Sequence, residues 1–199
     1  MKILVLGGSG VIGRAVVKAL SPRHEVLSAS RNSRNYAVDA RDGESLRRVL
    51  ESVGRVNAII TVLGDVYWGP IAEMTEAQFR LGVEGKLMAQ VNTALIGQHF
   101  LEDGGSVTLT GGVLAEQPIR SGTGASTVNS ALEGFVRGAA VELPRGLRIN
   151  VVSPGPVLES WDMVGPLLPG WEPVPADRVA LAYVRSVEGA QTGQVLRVF

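Results

Sequence analysis

Gly7, Gly10 and Gly13, spaced by three in the run KILVLGGSGVIG (2–13), are the residues with the most chemistry to offer. Each permits something that a Cβ would forbid: a sharp exit from a strand, close approach of backbone to a ligand, and tight packing of a helix on that strand. Backbone N–H groups at the start of the following helix have no partner inside it. A phosphate placed there gains hydrogen bonds and the favourable end of the helix dipole. The stretch reads as a cradle for the pyrophosphate of a dinucleotide, made by Gly7, Ser9, Gly10, Val11, Ile12 and Gly13. The plain alternative is an ordinary tight strand-to-helix connection. Context favours the cradle, because a five-residue apolar run leads into it and the helical pattern VIGRAVVKAL leads out.

Two cations could extend this chemistry. An acidic residue at the end of the second strand would hold a ribose 2′-OH and select NAD, whereas Arg suits the 2′-phosphate of NADP. Here the strand runs into Ser28-Ala29-Ser30-Arg31-Asn32-Ser33-Arg34 without Asp or Glu, so NADP(H) is favoured over NAD(H), with Arg31 as the phosphate's partner. Otherwise Arg31 is a solvated loop cation. Lys86 lies in a mostly apolar helical stretch and is the one candidate for a catalytic role, orienting a substrate carbonyl or phosphate. The more ordinary reading is a lysine snorkelling to solvent beside Glu84. His24 and His99 have no partner at metal-ligand spacing and read as surface residues, so no metal site is expected.

The elements that must position these groups alternate. Strands are expected at 2–6, 24–28, 36–40, 56–63, 106–110, 147–153 and 194–199. Helices are expected at 11–20, at 43–53 with Asp42 as N-cap, at 77–101 with a break near Gly82 or Gly85, at 125–143 and at 176–187. Strands separated by helices predict an α/β fold: a Rossmann-type, doubly wound parallel sheet of about seven strands with helices on both faces.

Composition sets the outer limits. With 199 residues, 45% of them hydrophobic, the chain reads as one NAD(P)-binding Rossmann-fold domain spanning 1–199. Lys plus Arg equals Asp plus Glu at 19 each, so no basic surplus points to nucleic acid or an anionic membrane. There are no cysteines, which excludes disulfides and thiolate chemistry. No apolar run approaches the roughly 18 residues of a membrane span, and a cytoplasmic location is the default expectation.

The order of features resembles the short-chain dehydrogenase/reductase family over nearly the whole chain. Beyond the Gly-rich turn, the resemblance rests on NSALEGFVRGAAVELPRGLRINVVSPGPV (129–157), which looks like the family's catalytic helix leading to its Pro-Gly turn. It implies a nicotinamide cofactor and a homo-oligomer, dimer or tetramer. It also implies that Asp39 and Ala40 lie beside the adenine, that Gly64 passes the ribose, and that Pro154, Gly155 and Val157 border the nicotinamide.

The resemblance breaks where the family's chemistry is done. The Tyr-x-x-x-Lys pair falls on Ala125 and Asn129, the catalytic Ser on Gly112, and the Asn of the middle helix on or near Lys86. The chain is similar to a small bacterial set that keeps the Gly-rich turn and lacks the usual active-site residues. Only seven residues separate Arg31 from Asp39, too few for the helix that family members insert there, and the substrate-covering segment after Gly155 is short. Tyr67, Trp68, Trp161 and Trp171 are either stacking surfaces for a substrate or packing residues of their loops. Two functional readings follow. One is an NADP(H)-binding oxidoreductase of a small-molecule substrate with a non-standard active site. The other is a catalytically inactive NADP(H)-binding sensor or partner subunit.

Overall fold

In the computed structural model, which describes residues 1–199, six strands form one parallel sheet. They are β1 (Lys2–Leu6), β2 (Glu25–Ala29), β3 (Val56–Thr61), β4 (Leu101–Thr110), β5 (Arg148–Pro154) and β6 (Val195–Val198), in the spatial order β2-β1-β3-β4-β5-β6. The α-helices are α1 (Val11–Leu20), α2 (Gly43–Val53), α3 (Glu76–Gly82), α4 (Ala89–Gly97), α5 (Thr123–Ala139), α6 (Trp161–Val164) and α7 (Ala176–Glu188). A π-helical segment, Val83–Met88, joins α3 to α4.

β1 is apolar on both faces because it is buried on both. Ile3 and Val5 enter one core with Val16 and Leu20 of α1 and Val179 and Tyr183 of α7. Leu4 and Leu6 enter the other with Leu46 and Leu50 of α2 and Leu132 and Val136 of α5. Full burial of an aliphatic side chain contributes roughly 1.5–3 kcal/mol, so this short strand anchors both layers. Its one polar side chain, Lys2, sits at the start of the strand, where Nζ donates to Val53 O at the end of α2. The helix starts follow their sequence signals: the Asp42 carboxylate accepts from Glu44 N–H, and Thr75 and Gln78 form a capping box.

The sheet has six strands where seven were expected. Residues 36–40 form no strand, and only Ala37 makes an isolated bridge, to Ser30. A parallel neighbour normally requires a crossover of a dozen or more residues, and the short link after Arg31 allows a single pair in register. The middle helical stretch is interrupted where a break was expected, near Gly82 and Gly85, by the π segment at Val83–Met88, whereas β4 begins earlier than expected, at Leu101.

Strand order decides where a ligand can lie. From β1 the chain steps outward to β2 and then returns to place β3 on the other side of β1, with α1 and α2 in opposite cores. At such a reversal the connections leave the sheet in opposite directions and open a crevice at the C-terminal strand ends.

Candidate functional site

The Gly-rich turn stands at that crevice. Gly7 leaves β1 with φ +85° and its N–H bonds Ala29 O at 2.8 Å, while a Cβ on it would lie 2.2 Å from Val62 O. A Cβ on Gly13 would lie 2.1 Å from Gly7 O, so the first turn of α1 rests directly on the loop. Gly10 differs, because a Cβ there meets only Gly7 O at 3.5 Å and otherwise faces open space. No side chain caps α1, and its first internal bond, Arg14 N–H to Gly10 O, leaves the amides of Val11, Ile12 and Gly13 ahead of it. Arg14 also ties the loop, its Nη1 donating to Ser9 O at 2.7 Å.

A groove of about 350 Å³ runs from this turn across the end of β2. Gly7, Ser9, Gly10, Arg31, Asp39, Ala40 and Gly64 all line it. So does Arg41, which the sequence reading passed over although it lies two residues beyond Asp39. The Arg41 guanidinium grips the Asp39 carboxylate, with Nη2 to Oδ2 at 2.5 Å and Nε to Oδ1 at 2.9 Å, and this holds the Asp39 pKa down at about 2. Arg31 is exposed and makes no ion pair, so both its charge and its donors remain available.

A second, mostly apolar cavity of about 450 Å³ adjoins the groove, and the two share Val62, Leu63, Gly64 and Asp65 at the end of β3. Ile12, Pro154, Gly155 and Val157 line it. Pro154 and Gly155 are buried against the C-terminal strand, where Gly155 N–H bonds Val198 O at 2.8 Å. Of the aromatic candidates only Trp68 lines the cavity. Tyr67 packs over Gly69, Trp161 over Gly165, and Trp171 against the small cluster of Val113, Leu114 and Ala125.

Gly112, Ala125, Asn129 and Lys86, the four positions onto which the resemblance would put catalytic residues, all line this same cavity. Ala125 and Gly112 offer no polar side chain. Lys86 and Asn129 do, and they meet: Lys86 Nζ donates to Asn129 Oδ1 at 2.7 Å and to Gly111 O at 2.9 Å. Burial alone pushes the Lys86 ammonium down to about 8. The snorkelling lysine beside Glu84 is therefore corrected. The wider π turn places Lys86 over Gly64, where a Cβ would lie 2.4 Å from the lysine Cγ, and turns its amine inward.

Gln90 is a positioning residue for the strand ends, one turn beyond Lys86. Its Oε1 accepts from Thr61 Oγ1 and Thr110 N–H, both at 2.7 Å, and its Nε2 donates to Thr110 O at 2.8 Å and Leu63 O at 3.2 Å. It thus clamps the ends of β3 and β4, from which Gly64 and Gly111 emerge. A lone glutamine in an apolar helix carries no signal of this kind before the strands are assembled.

His24 is an inward residue, its side chain 10% exposed with Nε2 2.9 Å from Glu188 Oε1. No helix is long and apolar enough to cross a membrane, and no group of three or more His, Cys, Asp or Glu is arranged to hold a metal ion.

A six-stranded parallel sheet flanked by helices, with its glycine turn at the strand-order reversal, has the Rossmann-type architecture. The family model described as enoyl-(acyl carrier protein) reductase matches residues 8–163, and the chain belongs to this family within the short-chain dehydrogenases/reductases. Among solved structures, a protein of Listeria innocua is 42% identical with 100% of both chains covered and a TM-score of 0.98. A small-chain dehydrogenase in complex with NADPH is 27% identical, with 100% of this chain and 96% of that one covered and a TM-score of 0.89. The Escherichia coli (strain K12) cyclic-di-GMP-binding biofilm dispersal mediator protein is 25% identical over 175 residues, 78% of this chain and 72% of the relative.

Proposed function

We propose that the protein is an NADP(H)-dependent oxidoreductase acting on a small, largely apolar substrate, with an active site that lacks the family's Tyr, Ser and Lys. One observation carries this reading: the groove along the glycine turn and the apolar cavity meet at Val62–Asp65, so a dinucleotide lying in the first would present its far end in the second. The residues fit such a molecule. The leading amides of α1 and the open space over Gly10 suit a diphosphate. Arg31 and Arg41 suit a 2′-phosphate, Asp39 and Ala40 border the adenine region, and Gly64 lies at the ribose. Pro154, Gly155 and Val157 wall the nicotinamide end of the cavity. When bound, NADPH supplies hydride, and the chain has only to orient it and exclude competing chemistry. The complex of a related dehydrogenase with NADPH adds weight to the phosphate form of the cofactor.

A second reading is favoured by Ala125 and Gly112, which bring no acid–base group to the cavity. On that reading the chain binds NADP(H) as a sensor or partner subunit without turnover. Titration of the purified protein with NADPH, NADH and cyclic di-GMP, followed by calorimetry, tests both. NADPH is expected to bind at micromolar concentrations and more tightly than NADH, and Arg31→Glu is expected to abolish that preference. Equal affinity for the two cofactors in the wild type would overturn the assignment of Arg31. Absence of binding to either below about millimolar would overturn the cofactor itself. Oxidation of NADPH in the presence of an aldehyde or ketone separates the enzyme from the sensor.

A further inference from the structure

The apolar cavity contains two sets of hydrogen-bond donors whose hydrogens have no acceptor in the fold. An ammonium group has three N–H donors and no acceptor. Lys86 Nζ uses two of them, on Asn129 Oδ1 and Gly111 O, and has one left. Because a lysine can only donate, the atom of Asn129 facing it must be the carbonyl oxygen, which fixes the orientation of that carboxamide. Asn129 is 3% exposed, its Nδ2 makes no hydrogen bond, and this nitrogen lies 2.8 Å from where a Cβ on Gly112 would stand. Its N–H groups occupy the space above Gly112 that a side chain would otherwise fill. The Nδ2 atom opens onto the cavity, so its N–H groups are within reach of an acceptor that enters there.

From this juxtaposition we infer that Lys86 and Asn129 together form the site that binds a substrate carbonyl oxygen, with Lys86 as its proton donor. The inference rests on the oxidoreductase reading for the source of electrons. As an aldehyde or ketone is reduced, its C=O π bond breaks and hydride from NADPH forms the new C–H bond, leaving NADP⁺. The electron pair left on oxygen takes a proton from Lys86 Nζ to form the O–H bond, and the neutral amine regains a proton from water. Asn129 Nδ2 holds the same oxygen, so its donors are aimed at charge that develops during the reaction. Ala125 then leaves room for an apolar substrate body rather than marking a loss, and Gly112 makes room for the Asn129 carboxamide. Asp65 is the only other ionisable residue lining the cavity, and Glu84 on the helical segment of Lys86 acts on Arg41. Neither contributes to the lowered pKa of Lys86, so its amine is not held as one half of an ion pair. A group titrating near 8 is well matched to donating a proton near neutral pH.

The chain has three lysines, Lys2, Lys18 and Lys86, which makes direct observation practicable. Full-length protein labelled with ¹³C at lysine Cε is titrated by NMR with and without benzoate, an apolar probe whose carboxylate stands in for the developing oxyanion. The expected result is one signal, absent in Lys86→Met, that titrates near pH 8 and whose midpoint rises when benzoate is added, while the other two do not move. Benzoate affinity is expected to fall about tenfold in Asn129→Ala and further in Lys86→Met, in variants whose folding is verified by circular dichroism. A wild-type protein in which benzoate moves no lysine signal, or moves Lys2 and Lys18 equally, overturns the proposal. So does equal benzoate binding by folded Lys86→Met. Because no cofactor is present, either failure is distinct from a failure to bind NADPH.

Discussion

Asn129 Nδ2 stands only 2.8 Å from the place a Cβ on Gly112 would take, so these two residues, on α5 and in the loop after β4, exclude one another's larger alternatives. The φ of Gly112 is 162°, extended backbone that any residue adopts, and contact alone decides what fits there. Gly112→Ser is expected to push the Asn129 carboxamide off Lys86 and to cost about 1.5–3 kcal/mol, the range for a hydrogen bond to a charged group. In an Asn129→Ala background the same substitution should cost close to nothing. Denaturant unfolding of the four proteins in this cycle measures the coupling, and additive effects would refute it.

The glycines of the turn separate stability from binding. A Cβ at position 13 would meet the backbone of Gly7 at 2.1 Å, and backbone cannot swing aside as a side chain can. Gly13→Ala is expected to destabilise the fold by about 1–3 kcal/mol. Gly10→Ala meets nothing closer than 3.5 Å and should unfold within about 1 kcal/mol of wild type, yet bind NADPH at least tenfold more weakly. Thermal unfolding paired with calorimetric titration distinguishes the two variants.

Acid sensitivity follows from the grip of Arg41 on Asp39. Its hydrogen bonds lower the Asp39 pKa from 3.8 to about 2, so the folded state holds the proton less firmly than the unfolded chain. The stabilisation is fully present above about pH 4 and is lost as the pH falls toward 2. With the Asp39 side chain 36% exposed, screening keeps it to no more than about 1 kcal/mol. The stability difference between wild type and Asp39→Asn should therefore shrink between pH 6 and pH 3 in denaturant unfolding series.

Lys86 works in the opposite sense at alkaline pH. Its folded pKa, about 8, lies below the ordinary 10.5, so between these values the unfolded chain binds more protons than the native state. Stability is then expected to rise with pH across that window. Measured against Lys86→Met at each pH, the wild type should gain between pH 8 and pH 10, and a flat difference would mean that the amine is solvated.

What the sequence determined by itself was local. The strand Lys2–Leu6, the turn at Gly7–Gly13 and the amphipathic run of α1 lie within 20 residues of one another. Their apolar pattern and glycine spacing specify a strand, a tight exit and a helix start without help from distant residues. The alternation of strands and helices, the cap at Asp42 and the family resemblance were legible for the same reason. The strand expected at 36–40 failed because pairing is a property of two segments, and the chain before it is too short to bring them into register.

Tertiary structure decided the rest. Lys86 and Asn129 are 43 residues apart, and their meeting depends on a π turn in one helix, the placing of another and the gap left by Gly112. Arg41 acquired significance from the groove that it lines beside Asp39, and Gln90 from the two strand ends it joins. A lysine in an apolar helix reads as snorkelling when only its neighbours in sequence are known. Whether its charge points to water or into a cavity is settled by which backbone carbonyl and which amide the packed fold places within about 3 Å of its nitrogen.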